Sequence, residues 1–196
     1  MISNYIADKS FEKTDFRLVG LPSGEYEACR FIGCDFSECD FSNFLFTDCE
    51  FLDSNLSLVK LIFTGFRDVR FTGCKMIGLH FDQCNDFGLS FSFDKCVLDQ
   101  SVFFRKKLKK SIFKNCQLKE SDFSECDLSG SVFENCNLSG SIFDNTNLEM
   151  ADFMSAYNFS IDPEQNKIKK ARFSRQNIEG LLNKYNLLID NKYSSK

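Results

Sequence analysis

The chain contains one histidine and two prolines, and it has no apolar run that approaches the length needed to span a membrane as a helix. The lone histidine, His80, has no nucleophile or base beside it in sequence, so acid–base catalysis has little to start from and the residue reads as solvated surface. No glycine-rich loop of the phosphate-cradling kind is present. Polar residues interrupt every apolar stretch of the N-terminal MISNYIADKS, which therefore lacks the core of a secretion signal. Strong charge of one sign is missing too: 28 acidic and 24 basic residues give a net −4, which favours solubility without pointing to nucleic acid or membrane. What the chain does have is phenylalanine, 24 of it, and ten cysteines. Without an export signal those thiols imply a reducing, cytoplasmic setting and no disulfides.

Both residue types obey one period. From Ser111 to Phe153 the chain reads SIFKN, CQLKE, SDFSE, CDLSG, SVFEN, CNLSG, SIFDN, TNLEM, ADF, a five-residue unit without a break. Counting by five from Phe11 lands on a large apolar residue through Phe81, stumbles at Asp86, and resumes two residues late at Phe93, running to Phe153. Asn158 and Pro163 blur the count, and Ile168 and Phe173 return to it. All ten cysteines (29, 34, 39, 49, 74, 84, 96, 116, 126 and 136) lie two residues before a centre, a position that also holds small residues such as Ser54, Ser121, Ser131, Ser141, Thr146 and Ala151. They read as small core residues, since buried free Cys behaves as a compact hydrophobe. The C-x4-C-x4-C of Cys29, Cys34 and Cys39 is accordingly read as core and not as a metal site, because successive units that turn a corner point their thiols to different sides.

A fixed short period implies a solenoid whose units are stable only when stacked. If four units close one turn, residues twenty apart stack at the ~4.8 Å spacing of neighbouring strands. Phe93, Phe113, Phe133, Phe153 and Phe173 then form one column and Phe103, Phe123 and Phe143 the opposite one, with Leu98, Leu118 and Leu138 and with Leu108, Leu128, Leu148 and Ile168 on the other two sides. This alternation alone requires only an even number of sides. From Ser111 to Phe143 an inward Ser accompanies each Phe centre and an inward Cys each Leu centre, the volume compensation that a close-packed interior demands. Outward charges also alternate at spacing twenty: Arg30–Glu50–Arg70, Asp40–Lys60, Arg105–Glu125, Lys107–Asp127, Asp94–Lys114–Glu134, Asp99–Lys119, Glu149–Lys169 and Asp152–Arg172. Each such pair contributes ~0–1 kcal/mol, and together they favour the correct stacking.

The ends and the irregular places carry the remaining expectations. Residues 1–9 are expected to cap the first coil. After Ser174, a candidate N-cap, Ile178, Leu181, Leu182 and Tyr185 fall at helical spacing, followed by Leu187, Leu188 and Ile189. These seven residues are expected to form a short α-helical cap and a homodimer interface. The chain thus divides into a β-helix over 1–173, with a register slip near 82–92, and a capping and dimerisation segment over 174–196. LPSG at 21–24 carries turn residues within an intact count, and residues 159–170 are expected to bulge.

Units such as CDFSE, CDLSG, CNLSG and TNLEM resemble the pentapeptide repeat proteins, over about residues 9–173. The resemblance implies an all-β solenoid, a right-handed quadrilateral β-helix with four units per coil and about eight coils. The C-terminal segment resembles that of the quinolone-resistance (Qnr) branch, which implies imitation of DNA and binding to DNA gyrase or topoisomerase IV. The loops that this branch inserts between units have no counterpart in the unbroken counts here. Eight coils make a rod of ~40 Å, along which a duplex would carry ~23 charges, so imitation by the whole surface fails. A local candidate is the acidic run Asp35, Glu38, Asp40, Asp48, Glu50 and Asp53, which has no basic residue within it. The basic run FRKKLKK at 104–110 is read as solvated. The functional expectation is a non-enzymatic protein, without cofactor, that presents a rigid surface to a protein partner and does not itself bind nucleic acid. The alternative is a scaffold unrelated to topoisomerases.

Overall fold

The computed structural model describes residues 4–189. The backbone turns a corner after most centres because the second residue beyond adopts a left-handed conformation, as at Asp48, Asp53, Asn115, Glu120 and Glu125. Gly, Asn and Asp tolerate that region, and Gly33, Gly73, Gly130 and Gly140 occupy it. Four corners close one coil, and every ladder between coils is parallel. The result is an all-parallel β-solenoid of about eight coils with four faces.

The first face begins as a sheet of Asn4–Ala7, Gly24–Glu27, Leu45–Thr47 and Gly65–Arg67. After an interruption it continues as the bridged column Lys107, Asp127, Asn147 and Lys167. The second face is a nine-stranded sheet from Ser10–Glu12 to Arg172–Phe173. The third carries the column Asp15, Asp35, Asn55, Lys75, Val97, Gln117, Asn137 and Tyr157. On the fourth, Asp40 pairs with Lys60, and His80 continues through Val102 and Asp122 to Ile142.

The expected columns are filled. Phe113 stacks on Phe133 at 4.9 Å between ring centroids, and Phe133 on Phe153 at 4.8 Å. The opposite column meets them edge-on, as where Phe113 and Phe123 lie 5.9 Å apart at 86°. The small inward residue does more than make room: its hydroxyl or thiol donates to a carbonyl of the preceding coil, as in Ser121 Oγ to Leu98 O at 2.9 Å and Cys136 Sγ to Phe113 O at 3.3 Å. All ten cysteines are free, and nine are buried; Cys39, near the short helix Phe16–Val19 that replaces part of the first coil, is half-buried.

Several expectations change in the folded chain. Residues 4–9 are not a cap: Asn4–Ala7 is already the first strand, and residues 1–3 lie outside the described part. The C-terminal segment forms two short 3-10 turns, Ile178–Leu181 and Asn183–Tyr185, and no α-helix among its described residues. Its spacing suits either, but Gly180 sits so close to Phe159 that the chain packs flat on the last coil. Ser174 is not the cap of either turn: Asn177 holds that position for Ile178–Leu181, and Ser174 Oγ accepts from the Asn177 N–H at 3.3 Å in the preceding turn. Residues 159–170 do not bulge, because Phe159 takes the place of the centre lost at Asn158 and packs at a tilt against both Phe153 and Phe173, which stack on each other at 5.2 Å. Asn166 fills the small inward position, donating to Phe143 O at 2.8 Å and accepting from the Thr146 N–H at 2.9 Å. The slip at 82–92 is a 22-residue coil, with Phe71 opposite Phe93 in an uninterrupted second face. Of the charge ladders, Arg30–Glu50–Arg70, Arg105–Glu125, Lys114–Glu134 and Asp152–Arg172 form ion pairs of 2.7–3.2 Å, whereas Asp127 pairs with Lys109 in place of Lys107.

Candidate functional site

A filled interior leaves the outer faces and the irregular places as sites. The acidic run does not converge on one surface. Asp35 lies on the third face, Asp40 on the fourth and Glu50 on the second, while Glu38, Asp48 and Asp53 are left-handed corner residues. Their carboxylates are also engaged locally. Arg70 first, and then Arg30, hold the Glu50 carboxyl below its ordinary pKa, and hydrogen bonds from Ser42 do the same for Asp40. Burial works against ionisation of Asp35, but the Ser37 hydrogen bonds and nearby Arg17 outweigh it.

Acid is concentrated elsewhere, on the fourth face, where residues roughly twenty apart supply it and no run in the sequence announces it. Asp40, Asp82, Asp122 and Asp144 occupy its two outward columns against Lys60, and Asp162 and Glu164 follow at the next count of twenty, beyond the last bridge at Ile142. Reading down columns, and not along the chain, is the signal that finds them. At its C-terminal end Lys184 pairs with both Asp162, at 2.8 Å, and Glu164, at 2.6 Å, and Tyr185 donates to Glu164 at 2.9 Å.

These contacts seat the C-terminal segment, together with Ile161 N–H donating to Gly180 O at 2.9 Å. Of the residues assigned to dimerisation, Leu181 packs against the core and Leu182 is half-buried, whereas Ile178, Tyr185, Leu187, Leu188 and Ile189 are exposed. Leu182, Leu187, Leu188 and Ile189 also line an open hollow of about 280 Å³.

The loop at 85–90 is a site that sequence reading located only as a slip. Its two extra residues displace the centre due at Asp86, and Phe91 turns inward to fill the gap, 5.3 Å from Phe81 and 5.0 Å from Phe93. Beneath it Lys106 takes a small inward position and is 5% exposed; its Nζ donates to Cys84 O at 2.8 Å and to Asp86 Oδ1 at 2.6 Å. Asn85 Oδ1 accepts from the Phe87 N–H at 2.9 Å, and Ser90 Oγ donates to Asp68 at 2.9 Å. The Arg67 guanidinium stacks 5.1 Å from the Phe87 ring, and its buried Nε has no hydrogen-bond partner among the described residues. The loop is thus pinned along its length while the Phe87 ring remains 75% exposed. Lys106, read as one more surface charge of FRKKLKK, is detectable from its register: it precedes centre Leu108 by two.

Other candidates stay in the core. Burial pushes the Cys49 and Cys126 thiols up to about 12, far from the reactive thiolate. Among the described residues no group of His, Cys, Asp and Glu is arranged to hold a metal, and no helix is long and apolar enough to cross a membrane. His80 lies outward on the fourth face with Nδ1 3.2 Å from Asp82.

Comparison with known proteins agrees with this architecture. A pentapeptide repeat region model matches residues 106–182, and a model of eight pentapeptide repeats matches residues 27–61. A trypsin-treated point variant of QnrB1, described as a plasmid-mediated fluoroquinolone resistance protein, is similar at 20% identity over 95% of this chain and 90% of its own, with a TM-score of 0.62. HetL from Nostoc sp. strain PCC 7120, a pentapeptide repeat protein involved in heterocyst differentiation regulation, is similar at 14% identity over 86% of each chain, with a TM-score of 0.48. A comparison with curated proteins gives no match. With two family models covering more than half of its length and the coil geometry to go with them, the chain belongs to the pentapeptide repeat proteins.

Proposed function

We propose that this chain is a non-catalytic interaction protein that binds a macromolecular partner through its rigid outer surface, and that the favoured partner is a type II topoisomerase, DNA gyrase or topoisomerase IV. The observation that carries the reading is the fourth face, which holds Asp40, Asp82, Asp122 and Asp144 against Lys60 on a fixed lattice, with Asp162 and Glu164 beyond them partly offset by Lys184. A protein groove built for a phosphate backbone would meet negative charge on that face, as imitation of DNA requires. The likeness of fold to QnrB1 is consistent with it. Dimerisation through the exposed Ile178, Tyr185, Leu187, Leu188 and Ile189 would extend the face along a second rod.

A second reading, a scaffold unrelated to topoisomerases, is favoured by magnitude. Eight rows at ~4.8 Å match a duplex segment bearing ~23 charges, several times the excess on this face. A supercoiling assay with purified gyrase, with and without a quinolone, separates the two. The topoisomerase reading expects inhibition or protection at micromolar protein, weakened in an Asp122→Asn/Asp144→Asn variant. Neither effect, and no gyrase binding, would leave the scaffold.

A further inference from the structure

We propose that the first face is a self-complementary docking surface on which a second copy of this chain lies antiparallel, with the Phe87 loop at its centre. The first face has nine rows: those of residues 5–8, 25–28, 45–48 and 65–68, the loop, and those of 107–110, 127–130, 147–150 and 167–170. The loop is therefore the middle row. On its N-terminal side Asp8, Glu25, Glu27, Asp48 and Asp68 stand against Arg67, a net −4. On its C-terminal side Lys107, Lys109, Lys110, Lys167, Lys169 and Lys170 stand against Asp127 and Glu149, a net +4. Among the described residues only Lys109 of these lysines is in an ion pair.

A twofold axis through the loop lays each acidic half over the partner's basic half, whereas a parallel arrangement sets like on like. Individual rows need not match, since screening at physiological salt acts over ~8 Å, nearly two rows at ~4.8 Å. The same axis brings the two Phe87 rings together at the centre, where aromatic anchors concentrate binding energy. Lys106 and Arg67 fix that ring in advance, which lowers the entropy cost of docking. A face about 40 Å by 10 Å buries on the order of 1,000 Å² in total, so the dimer belongs to the weak, salt-sensitive class. This surface is separate from the C-terminal segment and from the fourth face, and it does not depend on the identity of any other partner.

The test is sedimentation equilibrium of the full chain carrying Leu188→Asp, which removes the C-terminal apolar contact at a fully exposed residue. At about 100 µM chain in low salt the mass should approach twice 22.6 kDa, and it should fall toward 22.6 kDa at about 0.5 M salt. K167E/K169E/K170E and E25K/E27K should each be monomeric alone and should associate with each other when mixed, while Phe87→Ala should weaken association at least about tenfold. A monomer in low salt, a dimer untouched by the charge reversals, or failure of the mixed variants to associate would overturn the proposal. So would a wild-type monomer whose lysines bind a duplex of about 20 base pairs, since the surface would then serve nucleic acid.

Discussion

At the scale of the residue, the fold rests on pairing a large centre with a small polar companion. Phe133 is fully buried and lies between two parallel rings, so Phe133→Ala should destabilise the chain by ~3–5 kcal/mol in urea titrations. A loss below ~1 kcal/mol would contradict its role. The companions make a separate prediction through their thiols. Nine cysteines are buried and Cys39 is half-buried, so native protein should give prompt reaction of about one thiol with a bulky aromatic disulfide, and the rest only on unfolding. Fast reaction of many would mean that the column is open. This level was almost wholly legible, because a period of five assigns every side chain a direction. What escaped were the exchanges within a position: Asn166 and Lys106 stand where the count asks for Ser or Cys, and each is tolerated because its polar head meets a backbone carbonyl.

At the scale of the element, the 85–90 loop and the C-terminal segment show where periodicity loses its hold. Two extra residues announce a break, and Phe91, two before centre Phe93, is inward by the count, but only packing decides that Phe87 turns outward. Helical spacing at Ile178, Leu181, Leu182 and Tyr185 is shared by α and 3-10 turns, and contact with Phe159 settles the choice. Lys106 offers a test that separates anchoring from general stability. Lys106→Met keeps the apolar stem and loses the donor to Cys84 O and Asp86; since Asp86 is exposed, the stability cost should stay near ~1 kcal/mol. Amide exchange of Phe87–Leu89 should nevertheless quicken by at least about tenfold. Unchanged exchange there would show that the loop holds without its lysine. The corner at Leu58 makes a smaller prediction: its φ of +60° is unfavourable for a branched side chain, so Leu58→Asn should be neutral or stabilising by up to ~1 kcal/mol.

At the scale of the molecule, charge is organised by column, and the linear sequence conceals this. The acidic run that reads as a patch is divided among three faces, while the acids of the fourth face and the lysines of the first come together only once coils are stacked. The inter-coil pair at Glu50 and the local serine hydrogen bonds at Asp35 and Asp40 make stability depend on pH in a definite direction. Glu50, held by Arg70 and then Arg30, Asp35 and Asp40 all have carboxyl pKa values lowered in the folded chain. A lowered folded pKa contributes stability that is present above the unfolded value, near pH 4, and is lost as pH falls through the folded one. The urea midpoint should therefore be flat from about pH 8 to about pH 5 and fall below about pH 4. The contribution of Glu50 can be isolated, because Glu50→Gln keeps the shape and removes the charge between Arg30 and Arg70. The variant should be less stable than wild type at about pH 7, by a modest amount since the pair is largely exposed, and the gap should narrow toward about pH 3, as the pH falls toward the lowered folded pKa of Glu50. High salt should narrow the gap at neutral pH in the same way. A difference that persists unchanged at both pH values would place the role of Glu50 in its packing, and the charge ladder would then be a consequence of coil stacking and not one of its causes.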